Sequence, residues 1–445
     1  MKTINLQPIS ENAKVISGFA FKSTEFIDIG IPVVKITNVK KVSVTLEDCQ
    51  FVDRKYLSLN EKYKINNGDV LIALTGSHLS QPNSVVGRVA RYHYKEIALL
   101  NQRVGKFIIH GKNNLDLIFL YYYLVQDKIL YSLALNAKGS ANQANISPSD
   151  VERILIPVFT LSSQRVIADI LSTYDDLIDT NRRRIQLLEE AARLLFREWF
   201  VYFRFPCLRQ GYGGQAGYEK VHPVRKFDSN GVKIVDGVPE GWRKEKLNRI
   251  VSFLGGHAFK STSYKQAGKY GIVTIKNVQQ SSFIPKCTDY LDDTPDAMKK
   301  HCFLTNGDIL ISLTGNVGRV CLVYGENYLL NQRVAKIEAK KLIPKSFIYW
   351  MFDNSIMQKR IENLSFGSAQ QNLSPIKLGE QTVIIPPDPL LKSFDGIVSL
   401  INIEIVQLLI QNQKLAQARD LLLPRLMSGE IDLLRYDKLS NGVGV

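Results

Sequence analysis

The sequence has few cysteines, and they do not follow the patterns of zinc sites or disulfide frameworks. Five occur in 445 residues, at Cys49, Cys207, Cys287, Cys302 and Cys321. None forms a CxxC pair, and none has a histidine-rich neighbourhood. Structural zinc needs closely spaced ligands, and disulfide frameworks need regular cysteine spacing. The sequence therefore predicts no bound metal and a reduced, cytoplasmic compartment.

Long apolar runs are also missing. No run approaches the roughly 20 residues that a membrane-spanning helix needs. The longest candidate, LDLIFLYYYLV from Leu115, is ended by Gln126, Asp127 and Lys128, so we predict a buried helix there. The first ten residues contain no apolar segment of the kind found in signal peptides. We expect no membrane association.

Recognisable catalytic motifs are absent from the sequence. It contains no Walker A loop, no Asn/Asp-Pro-Pro-Tyr/Phe signature of amino-methyltransferases and no HExxH. The glycines of residues 210–217 do not follow the GxGxxG spacing, which favours a flexible linker. Asp292 and Asp293, followed by Lys299, are only weakly similar to a nuclease's acidic pair with lysine and predict a solvated turn. We expect no catalytic site and no cofactor on this chain.

What the sequence has in excess is positive charge. The formal net charge is +15, while the hydrophobic share of 45% and charged share of 22% are those of a globular protein. Lysine and arginine gain free energy by displacing counterions from phosphates, so a nucleic-acid partner is favoured. An ordinary basic protein remains the alternative on charge alone.

The chain also contains an internal duplication. Six blocks return in the same order, and LNQRV returns unchanged. The offset falls from 306 − 67 = 239 to 318 − 87 = 231, which places a longer loop around residues 77–85 of the first copy. The paired blocks are residues 18–23 and 256–261, 34–39 and 273–278, 67–76 and 306–315, 87–89 and 318–320, 100–104 and 330–334, and 139–143 and 367–371.

Each copy has the same predicted order of elements. Short β-branched runs, including the strand-like residues 34–39 and 273–278, are separated by glycine, asparagine and aspartate, as in strands and turns. A helix follows, then a Gly-Ser loop and a short final strand. The predicted helices are residues 115–135 and 344–364, and the predicted final strands are 154–157 and 383–386. This order predicts two α+β domains, each followed by a long helix.

The two long helices carry coiled-coil heptads. Residues 161–203 contain no proline or glycine, and residues 390–423 form the second helix, with Pro424 and Gly429 as its predicted end signals. Asn181 and Asn412 are the polar positions of the two seams, where a single asparagine often fixes register. The apolar seam positions are Ile167, Leu171, Tyr174, Ile178, Ile185, Leu188, Ala192, Leu195 and Trp199, then Val398, Ile401, Ile405, Leu408, Leu415 and Leu422.

Helices of about 35 to 40 residues would be roughly 50 to 60 Å long. We expect them to pair antiparallel and hold the two domains apart, related by a pseudo-twofold axis. The alternative is that each helix packs on its own domain. The charged side chains on their outer faces are expected to be solvated or to contact a partner protein. They are Arg182, Arg183, Arg184, Glu189 and Glu190.

Five motifs along the chain are specific in wording. The Asn-Gln-Arg block and the Gly-Asp strand ending in Leu-Thr-Gly occur in both copies. The others are residues 239–242 (PEGW), 194–200 (LLFREWF) and 422–431 (LLPRLMSGEI). Together these motifs resemble the specificity subunits of type I restriction–modification systems, over nearly the whole chain. The first copy lacks the Pro-x-Gly-Trp entry, and the glycine-rich insert after Pro206 is not part of the pattern.

The resemblance implies two repeated α+β target-recognition domains separated by two long antiparallel coiled-coil helices with pseudo-twofold symmetry. Each domain would read one half of a split, asymmetric site in double-stranded DNA. The helices would set the gap and dock two methyltransferase subunits, which bring S-adenosylmethionine; ATP-driven restriction subunits would join them. The implied boundaries are 1–160 and 239–388 for the recognition domains, 161–205 and 389–435 for the helices, and 206–238 for the linker.

The repeated polar blocks supply the candidate DNA-binding residues. Arginine pairs with guanine, asparagine and glutamine with adenine, and serine, threonine and lysine bind phosphates. The first copy offers Lys22, Ser23, Lys35, Asn38, Thr75, Ser77, His78, Arg88, Gln102, Arg103, Ser140, Asn142 and Gln143. The second offers Lys260, Ser261, Lys276, Asn277, Thr314, Asn316, Arg319, Gln332, Arg333, Ser368, Gln370 and Gln371.

Residues that are identical in the two copies are expected to support the fold or hold phosphates, since two half-sites differ in sequence. For residues 101–103 a buried hydrogen-bond network is an equal alternative. Base selection is expected where the copies differ, as at residues 77–85 and 316–317. Two other functions remain open: a single-chain nuclease or methyltransferase, and a scaffold that binds DNA without sequence preference.

Overall fold

The computed structural model describes residues 5–77, 86–111, 114–140, 143–205, 234–235, 238–340, 342–365 and 372–431. The chain folds into two units. The first contains residues 1–177 and 415–445, and the second contains residues 178–414. Each unit therefore combines one copy of the repeat, here called the first or second domain, with segments of both long helices.

The first domain is built on two five-stranded sheets. One runs, in spatial order, through Ala13–Ser17, Val104–Ile109, Val70–Ala73, Val89–Arg91 and Val42–Ser43. The other runs through Phe26–Ile27, Gln50–Val52, Ile31–Val34, Ala98–Leu100 and Lys64–Ile65. Two smaller sheets join Lys138–Ser140, Gln143–Asn145 and Thr75–Gly76, and Leu6–Pro8 with Leu155–Pro157.

The strand Val70–Ala73 is apolar at every position because both of its faces are buried. Val70 and Ile72 pack in the cluster that contains the first helices, whereas Leu71 and Ala73 pack on the opposite side with the second sheet. Side chains alternate between the two faces of a strand, so a strand between two cores needs apolar residues throughout.

The α-helices in the described part of the first domain are α1 (Leu117–Leu124), α2 (Asp127–Leu135) and α3 (Pro148–Glu152). The prediction of one helix over residues 115–135 is wrong, because the chain breaks at Gln126. Gln126 is extended and buried, and its carboxamide donates to the carbonyl of Tyr123 at 3.0 Å. This side-chain hydrogen bond takes the place of a backbone bond that would continue the helix. The expected burial of α1 is confirmed from Phe119 to Leu124.

The second domain has the same arrangement, with one strand fewer in each of its two main sheets. Its two four-stranded sheets run through Val251–Gly255, Val334–Ala339, Ile309–Ser312 and Val320–Leu322, and through Tyr290–Leu291, Tyr270–Val273, Tyr328–Leu330 and Phe303–Leu304. Three strand pairs join Arg243–Lys246 with Thr382–Ile385, Val278–Gln279 with Ser282–Phe283, and Ile234–Val235 with Val238–Pro239.

The helices of the second domain are α5 (Leu247–Ile250), α6 (Lys345–Asp353), α7 (Ser355–Ser365) and α8 (Pro375–Gly379). The single helix predicted over residues 344–364 is also divided, at Asn354, whose side chain accepts from the backbone of Ile356 at 2.9 Å. Residues 34–39 and 273–278 are not continuous strands either. Each strand ends at Val34 or Val273, and an asparagine-closed turn follows.

The long helices are α4 (Leu161–Phe200) and α9 (Asp388–Met427), each of 40 residues. The first ends three residues earlier than predicted. Pro424 does not end the second helix but lies inside its last turn, where Ser428 still donates to the Pro424 carbonyl at 3.0 Å. Gly429 follows with φ +66°, as expected at a helix end.

In the second unit, α4 and α9 pair antiparallel. Nδ2 of Asn181 lies 2.9 Å from Oδ1 of Asn412, and Arg184 forms an ion pair with Glu404 at 2.7 Å. Further along the seam, Ile185 packs against Ile405 and Leu408. The polar seam positions predicted from the heptads therefore meet each other.

In the first unit the same two helices again run antiparallel. Asp175 of α4 pairs with Arg419 of α9, and Leu171 shares a core with Leu423 and Leu426. Tyr122 of α1 also donates its hydroxyl to Asp175 at 2.6 Å. Burial is the main cause that raises the pKa of Tyr122, with the Asp175 carboxylate adding to it.

The long helices pack on the domains as well as on each other. In the second unit, Phe196 and Trp199 of α4 join the core that contains Trp242 and Phe347. The indole of Trp350 in α6 donates to Asn402 of α9 at 3.0 Å. The two alternatives considered from sequence are therefore both present: antiparallel pairing and packing on a domain.

Among the helices that the structure describes, only α9 is long and apolar enough to cross a membrane by length and composition. Some of its apolar side chains are nevertheless buried within the protein. Val398 and Phe394 are fully buried in the second domain's core, and Ile405 is buried against α4.

Candidate DNA interface

The repeated Asn-Gln-Arg block forms an exposed turn. In the first unit, the backbone N–H of Val104 donates to the carbonyl of Asn101 at 2.9 Å, which closes the turn. Asn101 is half-buried, and its side-chain oxygen accepts from the backbone of Arg103 at 3.4 Å. Gln102 and Arg103 are exposed at the tip. The buried network considered from sequence thus involves Asn101 alone.

The segment at Gly18 crosses this turn closely. Phe19 donates its backbone N–H to Leu100 at 2.7 Å and accepts from Gln102 at 2.9 Å. A Cβ at Gly18 would lie 2.1 Å from the carbonyl oxygen of Leu100. Glycine is therefore required because the two backbones are in contact.

Two further repeated blocks are bonded to the same turn. The backbone N–H of Leu74 donates to the carbonyl of Arg103 at 2.9 Å, and Asn101 donates to Val34 at 3.2 Å. Leu74 in turn accepts from Ile146, which follows the Gly-Ser hairpin, at 2.9 Å. Blocks that lie far apart in sequence therefore meet on one side of the first domain.

The second unit has the same set of bonds. His257 donates to Leu330 at 2.8 Å and accepts from Gln332 at 3.1 Å. Leu313 donates to Arg333 at 3.0 Å, and a Cβ at Gly256 would lie 2.3 Å from Asn331. Gln332 and Arg333 are exposed, as their counterparts are.

Four of the candidate side chains are buried and serve the fold. Asn38 and Asn277 are 3% and 2% exposed and close the turns after Val34 and Val273. Nδ2 of Asn277 also donates to the carbonyl of Ile284 at 2.8 Å. Thr75 is buried with its hydroxyl on Asn145, and Ser77 is 3% exposed. Their burial opposes direct contact with DNA.

The candidate lysines lie mostly at the surface. Lys22 and Lys260, with Ser23 and Ser261 after them, are exposed in the short turns that follow the glycine segments. Lys276 is exposed as well. Lys35 differs, since its ammonium lies 3.9 Å from the ring centre of Phe26 and bonds to Gln50. Burial lowers the pKa of Lys35.

The remaining described candidates occupy the ends of the strands. Arg319 bonds to Gln279, and burial lowers the pKa of Arg88. Asn316 is exposed, and Thr314 is half-buried with a hydroxyl oxygen that has no partner within the described part of the chain. Gln143 is exposed in its hairpin. His78, Asn142, Ser368, Gln370, Gln371 and the Ser140 side chain lie outside the described residues.

One surface feature was missed from sequence. Five half-buried aromatic rings of the first domain pack together beside the Gly18 segment, and lysines lie over three of them. Besides Lys35 over Phe26, the lysines are Lys55, 5.5 Å from the Tyr56 ring centre, and Lys62, 4.9 Å from that of Tyr63. The adjacent Lys-Tyr pairs in the sequence were the available signal. The rings are Phe19, Phe21, Phe26, Tyr56 and Tyr63.

Within the described ranges, no group of three histidine, cysteine, aspartate or glutamate side chains could hold a metal ion. The cysteines within these ranges have thiols whose pKa is raised by burial. Burial raises the pKa of Cys49 to about 11 and that of Cys287 to about 12. Residues 207 and 210–217, which include the fifth cysteine and the glycine-rich segment, lie outside the described residues.

The family model described as "Type I restriction modification DNA specificity domain" matches residues 2–190 and 239–407. The chain belongs to this family. The two matched regions coincide with the two copies of the repeat, so the recognition made from the motifs is confirmed. The family is one of DNA specificity subunits with two target-recognition domains, and that is the function of this chain.

Known specificity subunits are similar to this chain over most of its length. The chain is 24% identical over 430 residues to the HindI specificity subunit of Haemophilus influenzae, covering 86% of this chain and 91% of that protein. It is 25% identical over 384 residues to the EcoBI specificity subunit of Escherichia coli, covering 84% and 74%. The solved S subunit of M. genitalium has a similar fold, with TM-score 0.58, 17% identity and coverage of 96% and 97%. The α+β class with two long helices is confirmed.

Proposed function

We propose that each domain of this chain reads one half of a bipartite, asymmetric site in double-stranded DNA, through the side that carries its Asn-Gln-Arg turn. The observation that supports this is the repetition of the geometry. In both units the exposed glutamine and arginine are held by the same backbone bonds, at Phe19 and Leu74 or at His257 and Leu313. A site built twice in one chain suits a target with two halves.

The long helices would set the spacing of the half-sites and dock two methyltransferase subunits. A group of exposed apolar side chains at three-residue spacing on α9 favours a protein partner there. Leu187 of α4 is 66% exposed, and Leu400 of α9 is 65% exposed, with Ile397 and Ile403 exposed beside it. S-adenosylmethionine would be bound by these methyltransferase subunits, and ATP by the restriction subunits that join them.

The chain itself would be non-catalytic and would act in the cytoplasm, where cellular DNA is methylated. Its role would be to select the sequence and hold the partner subunits on it. The family's function as a specificity subunit supports this division of labour, and so does the absence of the Walker A, Asn/Asp-Pro-Pro-Tyr/Phe and HExxH motifs from the sequence.

Methylation mapping tests the proposal directly. The chain would be co-expressed with its neighbouring methyltransferase gene, and methylated bases mapped in host DNA by long-read sequencing. We expect methylation confined to one split motif. Exchanging residues 5–157, which the Leu6–Pro8 and Leu155–Pro157 strand pair closes, for another recognition domain should change one half-site only.

The other functions predict different results. A scaffold without sequence preference would leave methylation unchanged after the exchange, although the complex assembles. A single-chain methyltransferase or nuclease would modify or cleave DNA without the partner gene. Either result would contradict the proposal.

A further inference from the structure

We propose that the two Gln-Arg turns, residues 102–103 and 332–333, are phosphate clamps that hold the DNA backbone, one in each half-site, and do not select bases. The proposal rests on the proposed function. It divides that function between two sets of residues: the turns supply affinity, and the side chains around them supply specificity.

The first argument is identity. Both turns carry the same residues, although two halves of an asymmetric site present different base edges. One of the residues whose backbone is bonded to each turn differs between the copies. Phe19 in the first domain is replaced by His257 in the second. A contact that must be the same on any sequence is a contact with the backbone, since phosphates are identical at every step.

The second argument is rigidity. The turn at residues 101–104 is bonded to the backbone of three separate elements, through Phe19, Val34 and Leu74. Three equivalent bonds at His257, Val273 and Leu313 hold the other turn. The arginine tips therefore start from a fixed backbone position. A fixed donor loses less conformational freedom on binding than a mobile one.

The third argument is charge. Arg153, Arg193 and Arg419 each pair with a carboxylate. Within the described residues, neither Arg103 nor Arg333 forms an ion pair. The planar guanidinium matches phosphate oxygens with two parallel hydrogen bonds. Unpaired arginines at the tip of a fixed turn, in a chain of net charge +15, suit a polyanion.

Salt dependence of binding is the decisive measurement. The full-length chain, co-purified with its methyltransferase subunit, would be titrated against a duplex that carries the methylated motif and a scrambled duplex. For Arg103→Ala and Arg333→Ala, we expect the slope of log K against log salt to shrink by about 1 each. The fold loss in affinity should be equal on the two duplexes, and the methylated motif should be unchanged.

Three further variants make the outcome specific. Arg103→Lys and Arg333→Lys should restore the slope, since lysine still neutralises one phosphate. Arg249→Ala is the control for loss of a surface charge in the second domain. Arg249 is 74% exposed at the side chain, lies 3.6 Å from Glu245, and precedes Val251–Gly255, the strand that leads to Gly256 at its far end. Its removal takes away one charge and should leave the slope unchanged.

Two results would overturn the clamp. An unchanged slope in the alanine variants would show that the turns do not contact DNA. Relaxed base preference at one position in Arg103→Lys would show that the arginine reads a base. If the wild-type complex binds both duplexes equally, the proposed function fails, and the slope on the scrambled duplex still decides whether the turns hold phosphates.

Discussion

Asn181 donates a hydrogen bond of 2.9 Å to Asn412 across the seam of the two long helices. Asn181 is only 5% exposed, and apolar side chains occupy the following positions of the seam, where Ile185 packs on Ile405. A buried amide can satisfy its hydrogen bonds only opposite another polar group. Sliding either helix by one turn would separate the pair, so the pair fixes the register of the helices.

Replacing both asparagines by leucine is expected to stabilise the seam and loosen its register. The single variant Asn181→Leu should cost about 1–3 kcal/mol, because Asn412 loses a partner. Asn181→Leu with Asn412→Leu should recover this loss or exceed wild type. Denaturant midpoints measure the stability. Methylation mapping measures the spacer, which should become less uniform in the double variant. A double variant less stable than the single one would contradict this account.

The buried aspartate of the repeated Gly-Asp block is expected to matter more in the second domain than in the first. Asp308 accepts from Thr305 at 2.9 Å and pairs with Lys336 at 2.9 Å. In the first domain Asp69 and Lys106 lie 3.5 Å apart. Asp308→Ala leaves two lysines, Lys336 with a 16% exposed side chain and Lys345, without their shared carboxylate and should cost about 3–5 kcal/mol.

Denaturation of each single variant tests this order. Asp69→Ala should cost less, because the Lys106 ammonium keeps its bond to the Lys64 carbonyl at 2.5 Å. Adding Lys336→Met to Asp308→Ala should restore most of the lost stability, because the less exposed of the two unpaired charges is removed. Equal losses in Asp69→Ala and Asp308→Ala would contradict the prediction.

Two adjacent glycines in the second domain should differ in their tolerance of alanine. A Cβ at Gly256 would lie 2.3 Å from the Asn331 carbonyl oxygen, which is impossible without moving the turn. A Cβ at Gly255 would meet nothing within 4 Å. Gly256→Ala should destabilise the domain by about 1–3 kcal/mol. It should also weaken DNA binding, since residues 332–333 would be displaced.

Gly255→Ala is the control for this prediction, with stability changed by less than about 1 kcal/mol. Thermal unfolding and binding to the methylated motif should be measured on the same preparations. The two variants differ only in position, so equal effects would show that close backbone contact is not the reason for the glycine.

Glu189 predicts a pH-dependent stability. It lies on α4 with its side chain 19% exposed, 3.6 Å from Arg193. Burial raises the pKa of Glu189, the nearby Asp353 adds to this, and Arg193 only partly opposes it. The folded state therefore holds the proton more tightly than the unfolded state. Stability should fall as pH rises from the ordinary glutamate pKa through the raised one.

Glu189→Gln removes this effect, because its side chain is neutral at every pH. The variant is expected to be more stable than wild type at neutral pH, with the difference closing at pH values below the ordinary glutamate pKa. Denaturant titrations at several pH values measure it. Glu190→Gln, at an exposed neighbouring position, is the control and should show no such trend. A variant less stable than wild type at neutral pH would contradict the sign.

The breaks in the domain helices show where local sequence was insufficient. Gln126 and Asn354 both lie within runs that satisfy helix periodicity. Neither is a proline or a glycine, so no helix-breaking residue marks the position. At Gln126 the side-chain amide bonds to a carbonyl at the end of the first helix, and at Asn354 it accepts from a backbone N–H in the first turn of the next helix. Such a bond competes with the helix only when the surrounding core makes the bend favourable. That condition depends on contacts between residues distant in sequence.

The candidate site was predictable as a set of blocks but not as a surface. Repetition identified both Asn38 and Arg103 as polar residues, because each has the same residue type at the equivalent position of the second copy. In the structure Asn38 is buried as a turn-closing residue, whereas Arg103 is exposed. Recurrence of a polar residue marks a constraint, and the same residue type satisfies a structural or a binding constraint equally well.

The sequence by itself determined the duplication, the α+β class, the two long helices with their seam asparagines, and the family. All of these follow from order and periodicity along the chain. Only the tertiary structure decided that Asn181 meets Asn412, that Gly18 and Gly256 touch the Asn-Gln-Arg turns, and which polar side chains are exposed. Those facts depend on distances between segments as much as 231 residues apart in the chain. Local sequence constrains dihedral angles, whereas such distances are set by how the whole core packs.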